Sequence, residues 1–140
     1  MDYKPILLVE DNPEEERRIL RGFERNEMAH IVYVVRDGAE ALRYLFESED
    51  CTVLRSPPPR LIILDLHLPR VSGLEILRRI RGHPDGETLF VIVFTGSRDD
   101  RERAEAVSLG VDGYFQKPDD IVEFFKTLEK IGLTWLVNTQ

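Results

Sequence analysis

Cysteine is almost missing from this chain. Cys51 is the only one in 140 residues, so no internal disulfide can form, and a reducing compartment fits. Long apolar runs are missing too. None approaches the roughly 20 residues that cross a bilayer. The opening Met1-Asp2-Tyr3-Lys4-Pro5 precedes only four apolar residues, which is no signal peptide. A cytoplasmic protein without membrane contact is expected. Positive charge is short: 19 Lys and Arg stand against 26 Asp and Glu, a net −7. With no basic tail or stripe, direct binding to nucleic acid is not expected. Neither G-x-x-x-x-G-K-[ST] nor G-x-G-x-x-G occurs, which disfavours nucleotide binding. No His/Cys cluster is present to hold zinc, and no internal repeat is visible.

What remains suits one soluble domain over residues 1–140, with 42% hydrophobic and 32% charged residues. Four unbroken apolar runs stand out: Ile6-Leu7-Leu8-Val9, Ile31-Val32-Tyr33-Val34-Val35, Leu61-Ile62-Ile63-Leu64 and Leu89-Phe90-Val91-Ile92-Val93-Phe94. None alternates with period two, so they read as strands buried on both faces of a parallel sheet. Gly113-Tyr114-Phe115-Gln116 is a weaker fifth.

Helical spacing fills the intervals. Ile19, Leu20 and Phe23 follow the acids Glu14, Glu15 and Glu16, which favour a helix start. Leu42, Leu45 and Phe46 mark the second helix. Leu74, Leu77 and Ile80 mark the third, with Ser72 as its N-cap. The fourth uses Ala104, Val107 and Leu109 and stops at Gly110; the fifth uses Ile121, Phe124, Leu128 and Ile131. Strand and helix alternate five times. This predicts an α/β fold: a doubly wound, five-stranded parallel sheet in the order 2-1-3-4-5, with five helices. The longest linker, near residues 49–60, holds Ser56-Pro57-Pro58-Pro59, which favours an extended course.

Ligands of such sheets bind at the carboxyl ends of the strands. There the first run ends in Glu10-Asp11, the third in Asp65, the fourth in Thr95-Gly96-Ser97 and the fifth in Lys117-Pro118. Three carboxylates at close quarters repel one another unless a cation joins them. A hard divalent cation such as Mg²⁺ suits them, because it takes carboxylate, water and phosphate oxygens. Lys117 offers a point charge for an anion and Thr95 a hydroxyl donor. The set is suited to a phosphoryl group, with Asp65 as nucleophile because it stands alone on the central strand. Any one of these carboxylates could instead be a helix cap or a solvated loop residue. Their conjunction at four strand ends favours the chemical reading.

At these residues the sequence resembles the receiver domain of two-component response regulators, and the flavodoxin-like fold goes with it. The matching features are Glu10-Asp11, Asp65-Leu66-His67-Leu68-Pro69 with Gly73 following, Thr95-Gly96 and Lys117-Pro118. Asp37-Gly38-Ala39-Glu40-Ala41-Leu42 also looks like that family's second-helix start. The resemblance covers about residues 5–131, leaving an apolar tail over residues 132–140. It implies that Asp65 accepts phosphate from a sensor histidine kinase and becomes an aspartyl phosphate. It implies that Glu10, Asp11, Asp65 and the His67 carbonyl hold Mg²⁺, and that Thr95 and Lys117 contact the phosphoryl oxygens. It places Tyr114 at the aromatic switch position alongside Thr95, and makes Lys117-Pro118 a cis peptide. The long proline-bearing linker and the apolar tail look like the stand-alone regulators paired with bacterial phytochromes. Two other classes stay open: a phosphatase with an aspartyl-phosphate intermediate, and a scaffold that never takes phosphate. A phosphatase of this kind carries a D-x-D pattern, where Asp65-Leu66-His67 stands here.

Apolar surface is in excess at the C-terminal end. Phe124 and Phe125 are adjacent, about 100° apart on a helix, so both cannot face the sheet squarely. Leu133, Trp135, Leu136 and Val137 follow. A homodimer through the C-terminal half is the expectation.

Overall fold

The computed structural model describes residues 4–117 and 119–130. Five parallel strands form one sheet in the order 2-1-3-4-5. They are β1 (Ile6–Val9), β2 (Val32–Val35), β3 (Leu61–Leu64), β4 (Val91–Thr95) and β5 (Gly113–Gln116). The helices between them are α1 (Pro13–Arg25), α2 (Gly38–Leu45), α3 (Gly73–Gly82), α4 (Asp100–Ser108) and α5 (Ile121–Lys130). The fold is thus the flavodoxin-like one expected.

The unbroken apolar runs follow from this layering. β1, β3 and β4 are buried along their whole length, because helices cover both faces. Odd and even residues serve different cores. Leu7, Val9, Ile62, Leu64, Val91 and Val93 face α2, α3 and Ala106 of α4. Ile6, Leu8, Leu61, Ile63, Ile92 and Phe94 face α1 and α5. The edge strands β2 and β5 are only partly covered, which is why the fifth run reads weakly.

Helix ends are fixed by local chemistry. Asn12 caps α1, with Pro13 at its first position and three acids in the first turn. Asp37 and Ser72 each accept a backbone N–H three residues on, from Glu40 and Glu75. After α2 the linker doubles back, with Phe46 bridging antiparallel to Leu54.

Two expectations change. In α4, Ala104 and Val107 are exposed, and the inward residues are Glu102, Glu105, Ala106 and Leu109. Leu109 faces inward as expected, but Glu102 and Glu105 take the places where Ala104 and Val107 were expected to point inward. In α5, Phe124 and Phe125 are both accommodated. Phe124 is fully buried and stacks on Phe94, with ring centroids 5.1 Å apart. Phe125 turns to α1 and meets Phe23 edge-on at 5.4 Å, over Gly22. The Lys117-Pro118 cis peptide, Ile131 and the tail residues Leu133, Trp135, Leu136 and Val137 fall outside the described residues.

Candidate functional site

The parallel register brings four strand ends together. Val9 pairs with Leu64, Leu64 with Val93, and Thr95 with Gln116. The residues just beyond β1, β3 and β5, and Thr95 at the end of β4, therefore meet at one edge of the sheet. They are Glu10 and Asp11, Asp65, Lys117 and Thr95, as expected from sequence.

Asp65 is at the centre and is only 6% exposed. Its two oxygens have different partners. Oδ1 accepts the Thr95 hydroxyl at 2.7 Å and the His67 backbone N–H at 3.2 Å. Oδ2 pairs with the Lys117 ammonium at 2.8 Å. The same ammonium reaches Glu10 Oε1, and Glu10 Oε2 accepts the Asn12 N–H at 3.2 Å. Thr95 is fully buried.

Burial sets the electrostatics. It pushes the Glu10 carboxyl up to about 7; the Lys117 charge opposes this only in part, and Asp65 adds to it. Burial alone would lower the Lys117 ammonium, but the Asp65 and Glu10 charges outweigh it and the net shift is upward. Lys117 is therefore a firmly charged cation among carboxylates that need one.

Glu10, Asp11 and Asp65 each offer a carboxylate oxygen, and these oxygens lie within 4.8 Å of one another. Asp11 is exposed, so the cluster opens to solvent. An all-oxygen, partly open set of this kind fits a hard divalent cation.

His67 does not place its ring beside Asp65. Its Nε2 lies 2.8 Å from Glu102 Oε1 on α4, and the side chain is 62% exposed. The ring is thus directed away from the carboxylate, unlike the second Asp of a D-x-D acid/base pair. Tyr114 is half-buried on β5, with the Arg103 guanidinium over its ring at 5.3 Å. Burial raises the pKa of its hydroxyl. Glu102 was not singled out from sequence. Its signal was its place three residues after Asp99, the N-cap of α4.

Comparison with known proteins gives concordant results. Residues 6–129 match the response regulator receiver domain family. Response regulator Rcp1 of Synechocystis sp. is 32% identical over 133 residues, spanning 95% of this chain and 89% of that one. Its Mn²⁺-bound crystal structure superposes with a TM-score of 0.75 at 33% identity, covering 96% of each chain. The bacteriophytochrome response regulator RtBRR gives a TM-score of 0.78 at 36% identity, covering 96% of this chain and 81% of that one. The phosphorylated cyanobacterial phytochrome response regulator RcpA gives 0.76 at 31% identity, covering 99% and 97%.

Proposed function

The chain belongs to the response regulator receiver domain family, and from that premise we propose that Asp65 is its phosphoacceptor. Receiver domains act as phosphoacceptor switches partnered with histidine kinases. The observation that supports Asp65 is the division of its carboxylate: Lys117 holds one oxygen, Thr95 and the His67 N–H the other. An Asp65 oxygen forms the new bond to phosphorus as the P–N bond of a phosphohistidine breaks. The leaving nitrogen keeps the electron pair. A small phosphodonor serves in the same way, with a P–O or P–N bond broken.

Glu10, Asp11 and Asp65, with the His67 carbonyl, would hold the divalent cation, Mg²⁺ in this reading. Bound there, it supplies positive charge against the carboxylates and the incoming phosphoryl oxygens. Lys117 and Thr95 then contact those oxygens as ammonium and hydroxyl donors. The Thr95 hydroxyl moves toward the phosphoryl group, Tyr114 follows into the space released, and the face formed by α4, β5 and α5 changes. Phosphate selects between two arrangements because it interacts differently with each.

The partner kinase is a bacteriophytochrome, a reading supported by the likeness to RtBRR and RcpA. Residues 1–140 act as one receiver unit, forming a homodimer through the C-terminal half. Val122, exposed on α5, supports that face. Among the described residues no helix is long and apolar enough to cross a membrane, which accords with a cytoplasmic protein.

The test is incubation with acetyl phosphate and Mg²⁺ followed by intact-mass measurement. Wild type gains one phosphoryl group, and Asp65→Asn and EDTA-treated wild type do not. Equal labelling of Asp65→Asn refutes the assignment.

A further inference from the structure

Hydrogen bonds near Asp65 close into a ring that ends on α4. Two arms leave the same oxygen, Asp65 Oδ1, and arrive at the same oxygen, Glu102 Oε1. One arm runs through the Thr95 hydroxyl, which accepts the Ser97 N–H at 3.2 Å, and on through the Ser97 hydroxyl to Glu102. The other runs through the His67 N–H at 3.2 Å and its ring Nε2, 2.8 Å from Glu102. A carboxylate oxygen only accepts, so Nε2 carries the proton and donates.

Glu102 has no helix-capping duty that explains this. Asp99 caps α4 by accepting from the Arg101 and Glu102 N–H groups. A glutamate at this position of a capping box usually reaches back to the N-cap N–H. Here the Asp99 N–H goes instead to the Ser97 hydroxyl at 3.3 Å. Glu102 reaches past it to Ser97 itself, which is 2% exposed, and across to the β3–α3 loop.

We propose that Glu102 is a positioning residue: its carboxylate latches Ser97 and His67 together and holds the loop after β4 in the unphosphorylated arrangement. This rests on Asp65 being the phosphoacceptor. Moving the Thr95 hydroxyl from Asp65 Oδ1 to a phosphoryl oxygen displaces Ser97, whose N–H is bonded to that hydroxyl. Ser97 cannot follow while Glu102 holds its side chain. Phosphorylation therefore opens the latch, and the first turn of α4 registers the event directly. The occupancy of the latch sets how readily Asp65 is labelled.

The test compares wild type, Glu102→Ala, Glu102→Gln and Asp65→Asn. Labelling by acetyl phosphate with Mg²⁺ is followed by intact mass across donor concentrations. Amide exchange in residues 100–103 is followed with and without labelling. Glu102→Ala should raise the maximal labelling rate by about threefold to tenfold, the scale of one or two lost hydrogen bonds, with the half-saturating donor concentration unchanged. Glu102→Gln keeps an acceptor oxygen and should lie within about twofold of wild type. Exchange should quicken on labelling in wild type and be fast from the start in Glu102→Ala. An unchanged or slower rate in Glu102→Ala overturns the latch, and so does Glu102→Gln behaving like Glu102→Ala. Undiminished labelling of Asp65→Asn overturns the phosphoacceptor reading on which the latch stands.

Discussion

Lys117 is the residue whose role changes most between sequence and structure. Its place after the fifth strand suggests an ammonium waiting for an anion, so that its loss should harm signalling more than folding. In the folded chain it already pairs with both Glu10 and Asp65, and its side chain is only 10% exposed. Breaking a buried pair by removing one partner costs about 3–5 kcal/mol. Lys117→Ala should therefore lower the melting temperature clearly in EDTA, and excess Mg²⁺ should restore part of it. Thermal melts with and without the metal check this. Glu10 gives a pH dependence of definite sign. Its folded value of about 7 lies above the 4.5 of an ordinary glutamate, so the folded state binds more protons between those values. Stability of the metal-free protein should then fall as pH rises through that window. Urea midpoints at pH 5 and pH 8 in EDTA should show the fall, and Glu10→Gln should flatten it.

At the scale of elements, α3 and α4 lie side by side on one face of the sheet and both border the site. α3 begins almost in contact with the end of β3, where Asp65 sits. A Cβ at Gly73 would lie 2.1 Å from the Asp65 carbonyl oxygen and 2.6 Å from the Leu66 Cα. These are backbone atoms, so α3 or the loop after β3 must shift. Overpacking of this kind costs about 1–3 kcal/mol, more than the roughly 1 kcal/mol that alanine gains over glycine in a helix. Gly73→Ala should lower both melting temperature and acetyl phosphate labelling. α4 is the element the sequence placed correctly and oriented only in part: Leu109 packs on the core, whereas Ala104 and Val107 are exposed. Its inward face pairs Glu105 with Arg78 of α3 and Glu102 with Ser97 and His67. Apolar periodicity cannot detect a face held by charge, whereas the buried strands and the Ser72 cap were readable from local composition.

For the whole molecule, the property to test is self-association. The aromatic pair that first suggested excess surface is used inside the domain: Phe124 in the core, Phe125 against α1. Phe125→Asp would therefore confuse unfolding with dissociation. Val122, 61% exposed, is the better probe. The full chain should sediment as a dimer at micromolar concentration. Val122→Asp and Trp135→Ala should shift it toward monomer with little change in melting temperature. A dimer indifferent to both places the interface elsewhere.

Local patterning alone determined the element order, the sheet type and the strand-end acids. Fully buried strands must be apolar throughout, and a doubly wound sheet must present its strand ends along one edge. Which carboxylate oxygen meets Thr95 and which meets Lys117 was not local information. Nor was the orientation of α4, nor the return of both hydrogen-bonded arms to Glu102. The Thr95, His67 and Lys117 contacts among them join residues 30, 35 and 52 positions apart in the chain. Only tertiary packing brings them within hydrogen-bond reach.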